Sequence, residues 1–267
     1  MIRRKGRLGA RRVSLPVRIA LSLLTRPARH RYGPDPSQVA DLHLPDGPGP
    51  HPVAVLLHGG HWSTRFGKLV CRPLARDLAS RGWAVWNLEY RRLGTGRGGG
   101  GGWPTTFEDV AGGIDALATV AAPLDLSRVL LVGHSAGGQL ALWAASRPSL
   151  PADAVGSGPR VVASRVVALA PVTDLDRSGR SAQWLMGGPP DAEPERWAQA
   201  DPVRAGGPGL PVLVVHPTAD ATVPVELSRI YAATTGATLV ETAGAHRDPI
   251  DPTSVAWAAA LRWLGSG

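Results

Sequence analysis

The sequence predicts an α/β fold in which helices cover both faces of a mostly parallel central sheet. Apolar segments of strand length alternate along the chain with segments of helical periodicity, an order typical of parallel sheets. One strand, Val129-Leu130-Leu131-Val132, passes through a short glycine-bounded turn directly into a helical segment. A chain of 267 residues is long enough to form one such domain with a full core.

The individual elements follow from hydrophobic period, turn residues and helix caps. Gly82 ends the helix predicted over 69–81, and Glu108 and Asp109 occupy the first turn of the helix predicted over 106–120. The glycine-rich stretch 94–102 is predicted to be a loop, because it lacks the Gly-Lys-Ser/Thr of a phosphate-binding loop. The predicted strands are 39–44, 51–57, 83–90, 129–132, 161–169, 210–216 and 238–242, and the remaining helices are 138–145, 225–236 and 254–264.

The sequence also predicts a division into an N-terminal arm and one folded domain. Ten Arg and Lys lie between Arg3 and Arg31, with no acidic residue before Asp35. Residues 1–31 are therefore predicted to be a basic arm, disordered or loosely helical, and 32–267 the domain. A Gly- and Pro-rich stretch, 171–209, is predicted to be a small cap that contributes to a substrate pocket.

The basic arm raises the question of membranes and nucleic acids. Its apolar stretch, 17–24, is too short to span a bilayer and lacks the features of a signal peptide, so a cytoplasmic location is expected. Peripheral contact of the arm with an anionic membrane remains an alternative. The rest of the chain carries 19 basic and 21 acidic residues, so no nucleic-acid binding is expected. The single Cys71 permits no intrachain disulfide and is typical of a reducing compartment.

The most informative motif is Gly133-His134-Ser135-Ala136-Gly137, which stands between a predicted strand and a predicted helix. In this context G-x-S-x-G predicts a nucleophile elbow, a tight turn that exposes the serine hydroxyl above the sheet edge. The predicted nucleophile is Ser135.

The partners of such a serine are expected downstream, an acid first and a histidine second, each just after a strand. Asp220 follows the strand 210–216, and His246 follows the strand 238–242. His246 is predicted to take the serine proton, and Asp220 to hold its imidazole. Asp248 and Asp251 are alternative acids, less favoured because they follow His246 on the same loop.

The negative charge that forms on a substrate oxygen needs preorganised N–H donors. The backbone of Ala136 supplies one predicted donor, and the turn after the strand 51–57 supplies the others through Gly59, Gly60 and His61. His58 is predicted to brace this turn rather than to take part in the reaction.

Four further residues are predicted to line the substrate pocket. They are Trp62, Trp103, His134 and Trp184. Core or cap packing explains Trp103 and Trp184 at least as well, and strand alternation turns His134 away from the serine. His216 is predicted to be packed at its strand end. The histidines lack metal-ligand spacing, and neither a metal nor a cofactor is expected.

Four segments together resemble the α/β-hydrolase superfamily: His58-Gly59-Gly60-His61-Trp62, the elbow, His216 to Pro224, and Gly244-Ala245-His246. The H-G-G-x-W sequence is similar to that of kynurenine formamidases (arylformamidases), and other segments are similar to feruloyl and acetyl esterase-like members. The resemblance implies the catalytic roles given above for Ser135, Asp220 and His246, and an oxyanion hole from Gly60, His61 and Ala136.

The function expected from the sequence is a serine hydrolase that cleaves a small carboxylic ester through an acyl-enzyme. Arylformamidase activity is the alternative that the resemblance adds. The expected partner is a small-molecule substrate, an ester for the first activity and an amide for the second. A hydrolase-fold binding protein without turnover is the alternative from another class.

Overall fold

The computed structural model describes residues 13–24 and 26–265, and within them eight strands form one sheet. In chain order they are β1 (Ala28–Arg31), β2 (Val39–His43), β3 (His51–Leu57), β4 (Ala84–Leu88), β5 (Leu124–His134), β6 (Arg165–Leu169), β7 (Val212–Pro217) and β8 (Thr238–Thr242). Across the sheet they lie in the order β1-β2-β4-β3-β5-β6-β7-β8. The pairs β1–β2 and β2–β4 are antiparallel and all others parallel, which confirms the predicted sheet.

The helices of the described residues cover both faces of this sheet. They are α1 (Leu15–Ser22), α2 (Arg72–Ala79), α3 (Thr105–Asp115), α4 (Ala136–Ser146), α5 (Arg180–Met186), α6 (Pro194–Ala200), α7 (Pro202–Ala205), α8 (Val225–Thr235) and α9 (Val255–Gly265). Side chains from α3, α4 and α8 pack in the core on one face, and side chains from α2 and α9 pack in the core on the other.

Strand alternation distributes the apolar side chains between these two cores. On β3, Val53, Val55 and Leu57 belong to the core beneath α3 and α4, whereas Ala54 and Leu56 belong to the core beneath α2 and α9. Because successive side chains of a strand point to opposite faces, a continuous apolar run is required where both faces are covered. This explains why the central strands read as uninterrupted hydrophobic segments.

The 171–209 segment, predicted to be a cap, forms α5, α6 and α7 and packs onto the same core as α4. Leu185, Met186 and Trp197 are buried there. Gln139 of α4 donates from Nε2 to the carbonyl oxygen of Ala200, at 2.8 Å. The segment therefore completes the core on one face of the sheet.

The N-terminal region departs from the prediction, because β1 lies inside the predicted arm. Ala28–Arg31 pairs with Val39–Leu42, and Arg29 Nε lies 3.1 Å from Asp41 Oδ1. Regular structure therefore begins before Tyr32, and the predicted start of the folded domain at residue 32 is too late. Residues 1–12 of the predicted arm lie outside the described residues. No helix of the described residues is long and apolar enough to cross a membrane.

Candidate active site

The turn between β5 and α4 holds Ser135 in a conformation that few non-glycine residues adopt, with φ 55° and ψ −121°. The two flanking glycines are required by close approach. A Cβ at Gly133 would lie 2.0 Å from the carbonyl oxygen of Gly137, and a Cβ at Gly137 would lie 2.1 Å from that of Leu57. The G-x-S-x-G pattern thus arises because α4 packs directly against the ends of β3 and β5.

The sheet brings together three side chains that are far apart in sequence. The turn that carries Ser135 follows β5, and the loops after β7 and β8 carry Asp220 and His246. His246 Nε2 lies 3.0 Å from Ser135 Oγ, and His246 Nδ1 lies 2.6 Å from Asp220 Oδ2. A carboxylate oxygen accepts a hydrogen bond, so Nδ1–H donates to Asp220 and Nε2 is left to accept the serine proton.

The surroundings of Asp220 keep it ionised. Its Oδ1 accepts from the backbone N–H groups of Thr222 and Val223, at 2.8 and 2.9 Å. Burial by itself raises the pKa of this carboxyl group, but these hydrogen bonds and the one from His246 outweigh burial and lower the pKa. The acid is thus a stable negative charge behind the imidazole.

His216 contacts this acid, which sequence reasoning did not anticipate. Its Nε2 lies 3.0 Å from the carbonyl oxygen of Val223 and 3.2 Å from Asp220 Oδ2. Burial lowers the pKa of His216. Since both neighbours of Nε2 are acceptors, the neutral ring carries its proton there, and Nδ1 accepts from the Ser228 hydroxyl at 2.7 Å.

The turn after β3 approaches Ser135 closely. A Cβ at Gly59 would lie 3.0 Å from Ser135 Cβ and 2.6 Å from the carbonyl oxygen of His134. Gly60 and His61 have φ values of 122° and 54°, which turn the backbone sharply beside the serine. Ala136 is the first residue of α4, where backbone N–H groups have no acceptor within the helix.

His58 braces this turn from below. Its Nε2 lies 2.8 Å from Glu89 Oε1, and Tyr90 stacks on its ring with centroids 4.4 Å apart. The Tyr90 hydroxyl donates to the carbonyl oxygen of His58, at 2.6 Å. Burial by itself raises the pKa of Glu89, but His58, Arg92 and the backbone N–H of Lys68 outweigh it and hold the pKa at about 2. Glu89 and Tyr90 directly follow β4, whereas the strand predicted over 83–90 included both, so sequence reasoning missed their role.

A cavity of about 270 Å³ lies beside Ser135. Its lining includes six of the predicted site residues and five residues that the sequence did not single out. These residues are Gly59, Gly60, His61, His134, Ser135 and His246, and then Phe66, Val70, Thr222, Arg247 and Ile250. No acidic side chain of the described residues lines this cavity.

His134 lies in this lining, with its ring 4.8 Å from that of His246, whereas alternation had suggested that it points away. Burial, assisted by the charge of His246, lowers the pKa of His134 to about 3. The neutral ring donates from Nε2 to the carbonyl oxygen of His246, at 2.8 Å. His134 therefore fixes the backbone of the loop that carries His246.

Three predicted pocket residues lie elsewhere. Trp62 is buried in the core and donates to Gln139 Oε1, Trp103 packs edge-on against Phe107, and Trp184 is exposed on α5. No residue of 171–209 lines the cavity, so the predicted contribution of this segment to the pocket is not found. The reason is packing, because Leu185, Met186 and Trp197 are buried in the core that they share with α3 and α4.

The alternative acids do not reach the imidazole. Asp248 Oδ2 accepts from the backbone N–H of Ala245, and Asp251 Oδ1 lies 3.3 Å from Arg18 Nε. Within the described residues, no group of three or more His, Cys, Asp and Glu side chains could hold a metal ion.

The sheet order, the strained serine turn and the sequence order Ser, Asp, His define an α/β-hydrolase fold. Residues 40–234 match the model of the BD-FAE family, so the chain belongs to that α/β-hydrolase family.

Known relatives agree with this placement. The chain is 29% identical over 220 residues to esterase LipC of Mycobacterium tuberculosis, a match that covers 75% of this chain and 52% of that protein. The chain thus spans about half the length of this curated relative.

Solved structures share the fold at lower identity. A thermophilic esterase of Thermogutta terrifontis, Est2 with butyrate bound, has a TM-score of 0.72 at 22% identity, covering 91% of this chain and 93% of its own. Esterase B of Lactobacillus rhamnosis, inhibited by a tributyrin phosphonate, has a TM-score of 0.74 at 19% identity, covering 94% and 91%.

Proposed function

We propose that this protein is a serine hydrolase that cleaves small carboxylic esters through an acyl-enzyme. The observation that carries the proposal is the continuous contact from Ser135 Oγ through His246 to Asp220, at 3.0 and 2.6 Å. Membership of the BD-FAE family and the likeness to esterases support the same class of reaction.

In the first half of the reaction, His246 Nε2 takes the Ser135 proton as Oγ attacks the ester carbonyl carbon. Asp220 stabilises the imidazolium that forms. The tetrahedral intermediate then collapses, the alcohol leaves with the proton from His246, and the acyl group remains on Ser135.

In the second half, a water molecule gives its proton to His246 and attacks the acyl carbon. Collapse of this intermediate returns the proton to Ser135 Oγ and releases the carboxylic acid. The net reaction is ester plus water to acid plus alcohol.

Both intermediates place a negative charge on the former carbonyl oxygen. We assign its stabilisation to the N–H of Ala136 and to the turn of Gly59, Gly60 and His61, which meet beside the serine. Removing one such donor typically costs on the order of 10²- to 10³-fold in turnover.

The size of the cavity favours small substrates. At about 270 Å³ it lies just below the usual range of ligand pockets, about 300–1,000 Å³. Short acyl chains therefore fit better than long lipid chains.

The experiment is a panel of para-nitrophenyl esters of increasing chain length, assayed with the wild type and Ser135→Ala. We expect turnover of the acetate to butyrate esters and a steep decline in turnover for longer acyl chains. The Ser135→Ala variant should lose all of this activity while its circular dichroism spectrum stays unchanged. Equal activity of a folded Ser135→Ala variant would refute the assignment.

N-formylkynurenine in the same panel separates the arylformamidase alternative, which is favoured by the H-G-G-x-W sequence at 58–62. Absence of turnover on every ester and amide would favour the binding-protein alternative. A cytoplasmic location, and contact of the basic arm with an anionic membrane, remain proposals that cell fractionation tests.

A further inference from the structure

A second cavity adjoins the one that contains Ser135, and its lining is strongly basic. It has a volume of about 430 Å³. We call it the basic groove, because five cationic side chains line it, against one acidic side chain, Glu89. The five are Arg29, Arg65, Lys68, Arg92 and Arg97.

The ion pairs of the basic groove leave part of this charge uncompensated. Arg29 Nε and Lys68 Nζ share Asp41 Oδ1, at 3.1 and 2.8 Å, and Arg92 lies 3.3 Å from Glu89. Five cations therefore face two carboxylates, an excess of three positive charges.

Arg65 and Arg97 are the hydrogen-bond donors of the basic groove that are most available to a ligand. Within the described residues, neither Arg65 nor Arg97 lies within ion-pair distance of a carboxylate, and both are exposed. The buried Arg92 adds an Nε with no hydrogen-bond acceptor among the described residues. Arg97 is supplied by the glycine-rich loop, whose residues fold back through backbone hydrogen bonds such as Gly101 N–H to the carbonyl of Arg92.

The basic groove borders on the cavity beside Ser135 and shares two lining residues with it. Phe66 and Val70 line both cavities. Arg247, which follows His246 and is exposed, lies with its guanidinium carbon 5.3 Å from the centre of the Phe66 ring. Positive charge therefore extends from the mouth of the Ser135 cavity, across Phe66, into the basic groove.

We propose that the substrate is an ester whose departing alcohol or phenol part carries a carboxylate or phosphate group, which binds in the basic groove. This inference rests on the proposed esterase function. The acyl group occupies the small cavity at Ser135, and the departing part extends over the exposed mouth formed by His61, Phe66 and Arg247. Guanidinium groups suit both anions, because they offer paired N–H donors to carboxylate and phosphate oxygens.

The test compares three acetate esters that differ in the departing phenol. They are 4-acetoxybenzoate, 4-acetoxyphenyl phosphate and the neutral methyl 4-acetoxybenzoate. At low ionic strength we expect the wild type to prefer each anionic ester over the neutral one by about fivefold or more in kcat/KM, mainly through KM. The preference should shrink at about 0.3 M salt, where screening shortens the reach of charge.

The variants Arg65→Gln and Arg97→Gln, singly and together, should each reduce this preference, and the double variant should abolish most of it. Arg262→Gln is the matched control, because Arg262 is an exposed arginine on α9 outside both cavities. A phosphate preference above that for carboxylate would identify the more highly charged anion as the ligand. Equal kcat/KM for all three esters at low salt, or an undiminished preference in the double variant, would overturn the proposal.

A binding measurement separates this inference from the proposed function. Calorimetric titration with 4-hydroxyphenyl phosphate needs no turnover, and we expect binding to the wild type that weakens in the double variant. Binding without hydrolysis of any ester would refute the esterase and retain the anion site. Hydrolysis without such binding would refute the anion site alone.

Discussion

The contact of Glu89 with His58, beneath the turn of Gly59, Gly60 and His61, predicts a specific effect of Glu89→Gln on stability. Glu89 contacts His58 and Arg92 and accepts from the backbone N–H of Lys68, and these groups hold its pKa at about 2 instead of 4.5. Its side chain is only 15% exposed, so solvent screening is limited. One unit of pKa corresponds to about 1.4 kcal/mol, so the ionised carboxylate stabilises the fold by up to about 3 kcal/mol at neutral pH.

The pH dependence follows from the sign of the shift. The pKa in the folded state lies below the unfolded value, so the stabilisation is complete above about pH 4.5 and is lost as the pH falls towards 2. Glutamine has nearly the same shape and no charge. The decrease in the free energy of unfolding caused by Glu89→Gln should therefore be largest near pH 7 and should shrink below pH 4.5.

The assay is urea unfolding of the wild type and Glu89→Gln, followed by tryptophan fluorescence at several pH values from 7 to 3. Glu108→Gln is the matched control, because Glu108 is exposed on α3, and it should change stability little at any pH. A loss in Glu89→Gln that is the same at pH 7 and pH 3 would refute the electrostatic reasoning. So would a loss no larger than that of the control.

Three further predictions follow from single contacts. Asp220→Asn should lower kcat by several orders of magnitude, on the order of 10⁴-fold, whereas steady-state kinetics should show little change in Asp248→Asn. Gly137→Ala should prevent or severely destabilise folding, because its Cβ would meet backbone, while Gly112→Ala, in open space on α3, should stabilise by about 0.5–1 kcal/mol in urea unfolding. Burial raises the pKa of Asp201 from 3.8 to about 7, so the free energy of unfolding should fall as the pH rises from about 4 to about 7. Urea unfolding of Asp201→Asn should show a smaller fall over this range, and a fall of the same size would contradict this origin.

Much of the fold could be predicted because most strands are buried on both faces. Such strands require uninterrupted apolar runs, and β3 and β7 were therefore visible in the sequence. β1 was missed for the opposite reason. It is an edge strand with sequence Ala-Arg-His-Arg, it is mostly exposed, and its charged residues suggested an arm.

The positions of Ser135, Asp220 and His246 could be inferred from the G-x-S-x-G motif and from the order of the parallel strands. Each follows a parallel strand, and the ends of those strands meet at one edge of the sheet. The contacts of His58 with Glu89 and of His216 with Asp220 depend on side-chain placement between separate loops. Hydrophobic period and motif spacing carry no information about such contacts.

The pocket lining was the least predictable part of the site. Trp62, Trp103 and Trp184 were candidates because aromatic side chains often line pockets, but packing determines where they lie. Phe66 and Arg247, which do lie at the cavity, come from loops without a periodic pattern.

The most direct test of the central claim is covalent labelling with a fluorophosphonate, followed by peptide mass spectrometry. A serine activated by His246 should form a single adduct on Ser135, and the adduct should be absent in Ser135→Ala and form far more slowly in His246→Ala. An unlabelled Ser135 in the folded wild type, or equal labelling rates with and without the imidazole, would contradict the proposed proton transfer.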